Sequence, residues 1–281
     1  MSGTMTVVTT LAELRAVRQA LPGPLGLVPT MGFLHAGHIS LARRARSECQ
    51  SVAASIFVNP TQFGPTEDLA RYPRDLPHDL ALLESAGVDL VWTPSPAEMY
   101  PQGFQTWVQV DGLTLPLEGA VRPGHFRGVT TVVTKLFNAV GPDKAYFGQK
   151  DAQQAAVIRR MTADLNFPCE VIVCPIVREP DGLAMSSRNT YLTPAERKAA
   201  TVLYRGLTAA QAAYQNGERS AEALRKIVTE LVAAEPLARL QYVSCADYDT
   251  LQEVEQLTGK TLLSMAALLG KTRLIDNFVL G

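Results

Sequence analysis

Two of the chain's four histidines, His35 and His38, stand three positions apart in the stretch Pro29-Thr30-Met31-Gly32-Phe33-Leu34-His35-Ala36-Gly37-His38-Ile39-Ser40. The stretch follows a short apolar run, Leu25 to Val28, and opens onto Leu41 to Glu48, which reads as a helix. Strand, glycine-bent loop and helix N-terminus therefore follow one another. Unpaired N–H groups and the positive dipole end at a helix start make such a junction an anion site. Two imidazoles there point to a phosphate undergoing chemistry, with both rings turned to the ligand if the helix begins near Gly37. Capping or packing histidines account for the pair equally well when it is taken alone. Zinc is disfavoured, because the spacing is not i,i+4 and no third ligand sits nearby. A P-loop is excluded, because His38-Ile39 stands where Lys and Ser/Thr would bind phosphate and magnesium.

The elements that must position these residues follow from hydrophobic spacing. Leu11, Leu14, Val17 and Leu21 recur at helical intervals behind Thr9-Thr10, an N-cap signal. Leu25 to Val28 and Ser51 to Val58 read as buried strands with the histidine helix between them, a β-α-β unit with parallel strands. The second strand runs into Asn59-Pro60-Thr61-Gln62-Phe63-Gly64, a loop on the same carboxyl edge, where open parallel sheets bind ligands. Further expectations are a helix over Leu76 to Ala86, strands over Val88 to Trp92 and Thr106 to Val110, and an irregular, glycine-rich segment from Gly112 to Gly128. A buried helix over Val129 to Val140, a short strand over Lys144 to Phe147, a helix started by Asp151 and a strand over Val171 to Val177 complete the first domain. The turn residues of Arg178-Glu179-Pro180-Asp181-Gly182 mark a boundary, beyond which the chain turns to alanine-rich helices and a few strands. The reading is an α/β protein: a Rossmann-like parallel sheet with helices on both faces over residues 1–176, and a small α+β C-terminal domain over 177–281.

Composition narrows the function classes. The 281 residues are 47% hydrophobic and 19% charged, which describes a protein with a real core rather than a disordered one. A net charge of −1 gives no electrostatic footprint for nucleic acid. No apolar stretch approaches the ~20 residues that cross a bilayer, and the first ten residues lack a signal-peptide pattern, so the expectation is a cytoplasmic protein without membrane contact. Cys49, Cys169, Cys174 and Cys245 have no C-x-x-C spacing and read as buried thiols of a reducing compartment.

The stretch Pro29 to His38 resembles the P-T-M-G-x-L-H-x-G-H signature of the pantothenate synthetases, the pantoate–β-alanine ligases, and is a variant of the H-I-G-H element of a wider nucleotidyltransferase superfamily. Further motifs follow in the family's order: Asn59 to Phe63, Arg71 to Arg74, Arg122 to Gly128, Phe147 to Gln154, Met185 to Asn189 and Gly270 to Asn277. The resemblance spans nearly the whole chain. It implies that ATP activates pantoate as pantoyl adenylate, with release of pyrophosphate, and that β-alanine then displaces AMP.

For the residues, the resemblance implies a catalytic set of His35, His38, Lys150 and Arg188, steadying phosphates bridged by Mg²⁺. It assigns ATP contacts to Met31, the two histidines, Gly148, Lys150 and Asp151 in the first part of the chain. Val177, Met185, Ser186, Ser187 and Arg188 carry further ATP contacts in the second, where Met185 to Arg188 is similar to the mobile K-M-S-K-S loop and suggests a lid. Gln62 and Gln154 would hold pantoate, with Met31 and Phe63 as apolar wall. Arg122 and His125 are candidates for the entrance or the β-alanine side, a turn-stabilising arginine being the alternative. Asp79 is a candidate magnesium ligand or a helix-surface carboxylate. The family also implies a homodimer. Thr61, Gln149 and Ala152 depart from its common residues without removing a group assigned to the chemistry. Two other readings stay open: a nucleotidyltransferase that stops at adenylyl transfer, and a non-catalytic nucleotide-binding module.

Overall fold

A computed structural model describes residues 5–65 and 67–281. The chain divides into two compact units, Met1–Gly148 with Gln153–Pro175, and Gln149–Ala152 with Ile176–Gly281. The assignment of four residues from the middle of the chain to the second unit is not something composition foretells.

The first unit is built on a parallel sheet of β1 (Thr6–Val8), β2 (Leu25–Thr30), β3 (Ser51–Ile56), β4 (Leu90–Trp92), β5 (Lys144–Gly148) and β6 (Glu170–Cys174), in the order β1-β4-β3-β2-β5-β6. Its helices are α1 (Leu11–Ala20), α2 (Ala36–Glu48), α3 (Leu76–Ser85), the short α4 (Pro96–Met99) and α5 (Glu118–Val121), α6 (His125–Val140) and α7 (Ala152–Asp164). Successive strand residues point to opposite faces. Leu25, Leu27, Ala53, Leu90, Trp92, Ala145 and Phe147 join Leu14, Val129, Phe137 and Ile158 in one core. Val28, Val52, Ala54, Val91 and Tyr146 join Ile39, Ala42 and Leu83 in another. Two apolar layers with α1, α6 and α7 on one side and α2 and α3 on the other are what a parallel sheet requires. At Gly26 an added Cβ would stand 3.1–3.2 Å from Cys49 Sγ, Tyr146 and Ala45, so the absence of a side chain lets α2 lie close on the sheet.

Thr10 caps α1 in a reciprocal box with Glu13, and Thr193 does the same with Glu196 for α8 (Pro194–Ala199). The expected strand over Thr106 to Val110 does not form. Its backbone is held instead by hydroxyls of α6, with Thr131 Oγ1 accepting from Val108 N at 3.0 Å and Thr130 Oγ1 donating to Val108 O at 2.6 Å. Alternation there reports packing against a helix rather than a ladder. Conversely β1, three residues at the sheet edge, is too short for a periodic signal.

The second unit packs α8, α9 (Val202–Gln215) and α10 (Ala221–Ala233) with the antiparallel sheet β7 (Ala238–Asp247), β8 (Thr261–Leu269) and β9 (Thr272–Leu280). Leu203, Leu207, Leu224, Val228, Leu263 and Met265 form its core. Gly270-Lys271 is the two-residue turn between β8 and β9, with Gly270 at φ +57°. All four cysteines are free thiols, three of them buried. Among the described residues no helix is long and apolar enough to cross a membrane.

Candidate active site

The histidine loop forms at the carboxyl end of β2. Thr30 Oγ1 donates to Ser55 O at 2.8 Å and accepts from Gly32 N at 3.3 Å, so the loop leaves the sheet under side-chain control. Gly32 at φ +85° and Phe33 at φ +50° then turn the chain through the left-handed region. His35 is the N-cap of α2, and its Nδ1 accepts from Gly37 N at 3.1 Å. His38 Nδ1 accepts from His35 N at 3.3 Å, and the two ring centroids lie 4.1 Å apart. A ring nitrogen that accepts N–H cannot carry a proton, so in both neutral rings the proton sits on Nε2. Capping and chemistry are therefore not alternatives: the cap bonds fix the tautomers and make Nε2–H the donor edge of each ring.

Asp79 is 1% exposed at the first turn of α3, and its carboxylate accepts from Phe33 N at 2.8 Å and Leu34 N at 2.6 Å. The expected surface carboxylate is thus corrected. Both oxygens serve the histidine loop, where the chain needs an acceptor for amides that face away from the ladder. Burial pushes the Asp79 carboxyl above its ordinary range, and the Leu34 and Phe33 amides oppose that shift.

The loop after β3 supplies the second cluster. Asn59 is buried; its Oδ1 accepts from Thr61 N and Oγ1 and from Tyr100 OH, and its Nδ2 donates to Gln62 Oε1 at 3.0 Å and Gly128 O at 3.1 Å. This orients the Gln62 amide so that Nε2 lies 3.1 Å from Met31 Sδ, bringing together two residues of the expected pantoate pocket. Phe63 packs edge-on against Tyr72 with centroids 5.9 Å apart. Gly128 matters here, because a Cβ would stand 2.4 Å from Thr61 O and 2.7 Å from Gln62 N. Arg122 grips Glu67 through two bonds of 2.8 and 2.7 Å and lies 3.1 Å from His125 Nε2. His125 Nδ1 donates to Gln62 O at 2.8 Å, so these two residues brace the Gln62 loop. Gln154 is half-buried on α7, while its neighbour Gln153 is the one that ties down Leu113 O, Pro116 O and Glu118 N. Gly148 ends β5.

His125 is 9% exposed, and burial, followed by the nearby Arg122 guanidinium, lowers its pKa from 6.5 to about 4. The unfolded chain therefore takes up a proton near pH 6.5 while the folded chain refuses it until about pH 4. The contribution to stability is present above pH 6.5 and is lost as the pH falls through that window, up to about 3 kcal/mol in all. Urea unfolding of the wild type and His125→Gln at about pH 7 and about pH 5 should give a flatter pH dependence for the variant. Parallel profiles would refute the assignment.

In the second unit Lys150 and Asp151 lie in the 3-10 turn Gln149–Asp151, with Lys150 Nζ 3.9 Å from Asp151 Oδ1. The helix thus starts one residue later than expected. Met185 N donates to Val177 O at 3.0 Å, pairing the two chain segments expected at ATP. Ser186 caps the 3-10 turn Ser187–Tyr191 by accepting from Arg188 N at 3.3 Å, and Ser187 is buried. Among the described residues no group of three His, Cys, Asp or Glu could hold a metal ion.

Asn59, Gly128 and Asn277 fall within the family motifs without an individual role, and Tyr100 and Glu67 lie outside them. The Asn59-Pro60 dipeptide is a turn signal, but nothing local tells which distant partners its amide will meet.

A parallel sheet with helices on both faces and a histidine-capped helix at its carboxyl edge defines the nucleotide-binding, Rossmann-like class of α/β proteins. Comparison with known proteins narrows the class. The family model for Pantoate-beta-alanine ligase matches residues 6–279. A pantothenate synthetase of Roseiflexus sp. (strain RS-1) is 64% identical over 98% of this chain and 99% of its own length. The crystal structure of pantothenate synthetase from Thermus thermophilus superposes with a TM-score of 0.94 at 51% identity, covering 98% of this chain and 99% of that one. The pantoate-beta-alanine ligase of Francisella tularensis, complexed with Beta-gamma ATP and Beta-alanine, gives 0.81 at 35% identity, covering 98% of each chain. The chain belongs to the pantoate–β-alanine ligase family.

Proposed function

We propose a division of labour among this chain's residues for the reaction of its family, the ATP-dependent condensation of pantoate with β-alanine to pantothenate through a pantoyl adenylate. A carboxylate is a poor electrophile, so pantoate must first be activated. Its oxygen attacks the α-phosphorus, the bond to the bridging oxygen breaks, and pyrophosphate leaves. The amine of β-alanine then attacks the acyl carbon, loses a proton and expels AMP.

The single observation that carries the assignment of roles is the fixed tautomer of the two loop histidines. With Nδ1 of each ring committed to backbone N–H, His35 and His38 offer Nε2–H to phosphate oxygens at the N-terminus of α2, where the helix dipole adds to the attraction. Positioned donors of this kind stabilise the charge that accumulates on the phosphates in the transition state and cost no reorganisation when it forms. Lys150 and Arg188 supply full positive charges to the same phosphates, Asp151 takes the ribose, and Met31, Gly148, Val177, Met185, Ser186 and Ser187 complete the contacts to ATP. Gln62 presents Nε2–H to pantoate beside Met31 and Phe63, and Gln154 is its second amide partner. Arg122 and His125 act on pantoate through the Gln62 loop. Magnesium, when bound with ATP, would neutralise phosphate charge, while His35, His38, Lys150 and Arg188 hold and orient the phosphates. The family resemblance alone carries the further reading of a cytoplasmic homodimer.

The test is isotope exchange. Radiolabelled pyrophosphate should enter ATP only when pantoate is present, and pantothenate should form once β-alanine is added. Exchange indifferent to pantoate would leave a plain nucleotidyltransferase, and no exchange at all a binding module.

A further inference from the structure

The turn that carries Lys150 is fixed from the far end of the chain. Asn277 lies on β9, is 3% exposed, and donates from Nδ2 to Gln149 O and to Lys150 O, each at 3.0 Å. Its Oδ1 accepts from Gln149 Nε2 at 3.0 Å, and Gln149 Oε1 accepts from Tyr248 OH at 3.1 Å. The amide cannot be turned over: carbonyl oxygens only accept, so the NH₂ end must face the two of them. One buried side chain thus holds two successive carbonyls of the 3-10 turn from which Lys150 projects. Its own backbone is tied in turn, for Asn277 N donates to Asp276 Oδ1 at 2.8 Å. Asp276 is 2% exposed and paired with Arg178 at 2.7 and 2.8 Å, and that guanidinium lies 4.9 Å from the Tyr204 ring and 5.1 Å from that of Phe278.

We propose that Asn277 is a positioning residue for Lys150, acting through the Gln149 and Lys150 carbonyls so that the lysine's backbone is set by β9. The proposal rests on the reading of Lys150 as a phosphate-binding group. A lysine has a flexible four-carbon stem, so only a rigid backbone origin confines where its ammonium can go. A misplacement of about 1 Å from a change remote from the chemistry can cost about 10²-fold in rate.

Pantoate-dependent pyrophosphate exchange by the full-length protein tests this. Asn277→Ala should lower kcat about 10- to 100-fold while KM for pantoate stays within about twofold, a split that general loosening of the fold would not produce. Asn277→Asp keeps the size and the acceptor but turns an oxygen towards two carbonyls, and should be at least as slow. In a Lys150→Ala background, Asn277→Ala should change the residual rate by less than about threefold, because the group it positions is gone. If Asn277→Ala fails to fold, Gln149→Met carries the same cycle, since it removes the partner that orients Asn277; the expected loss is about 3- to 10-fold. Wild-type kcat in folded Lys150→Ala would overturn the reading of Lys150 itself. A slow Lys150→Ala combined with wild-type kcat in Asn277→Ala, or with additive losses in the double variant, would overturn the positioning role alone.

Discussion

Lys150→Ala is expected to lower the rate of pantoate-dependent exchange about 10²- to 10³-fold while the protein melts at close to its wild-type temperature. The two halves of that expectation have separate causes. The side chain is 22% exposed and its ion pair to Asp151 spans 3.9 Å, an arrangement that contributes at most about 1 kcal/mol to stability. Its removal leaves the turn's backbone in place, because Asn277 holds the carbonyls of Gln149 and Lys150 rather than any atom of the lysine side chain. The chemical step is different, because attack on the α-phosphorus leaves charge on oxygens that one full positive charge stabilises more than a neutral donor does. Lys150→Arg should recover only part of the loss, since a planar guanidinium does not reproduce a compact ammonium. The decisive comparison is kcat against melting temperature for the three proteins. Wild-type turnover in a folded Lys150→Ala variant would remove the lysine from the mechanism.

How far the sequence reveals such a site depends on the range of the interactions that build it. The histidine loop was legible because strand, glycine turn and helix start are signalled by neighbours, and the bonds that orient His35 and His38 span two and three positions. The layered core was legible for the same reason, since alternation in β2 and β3 sorts Leu27 from Val28 and Ala53 from Ala54 without knowledge of their partners. Other features are set by pairs far apart in the chain. Asp79 reads in the sequence as a surface carboxylate or a magnesium ligand, and nothing near it announces its bond to Phe33, 46 positions away. Gln149 to Ala152 joins the second unit through Asn277, 128 positions from Gln149, and no local pattern could announce it. Thr106 to Val110 failed for a related reason: an alternating segment had its backbone groups taken by threonine hydroxyls of α6. The chemistry-bearing residue types are visible in sequence, whereas the groups that aim them are visible only in the fold.

Asp79→Ala follows from that distinction and should damage both stability and turnover, in contrast to Lys150→Ala. The carboxylate is the acceptor for two loop amides, Phe33 N and Leu34 N, in a place that is 1% exposed. Removing it leaves two buried N–H groups without that acceptor, at about 1–3 kcal/mol each where water cannot reach them. The loop cannot simply relax, because Gly32 and Phe33 already sit at φ +85° and +50°, and the acceptor helps to hold Phe33 in a region that a side chain ordinarily avoids. Immediately after Leu34, His35 caps α2, so a shift at Leu34 displaces both the cap and the ring edge that carries Nε2–H. Asp79→Asn should not rescue the loop, since an amide offers one acceptor and turns a donor towards the second N–H. Expected results are a fall in unfolding free energy of about 2–4 kcal/mol by urea titration for Asp79→Ala, and a kcat reduced about 10²-fold at a temperature where the variant is fully folded. A variant that kept wild-type kcat while losing stability would confine Asp79 to holding the fold. One that kept both would show that the histidine loop keeps its shape without this carboxylate, and that the positive φ values at Gly32 and Phe33 are imposed by β2 and α2 alone.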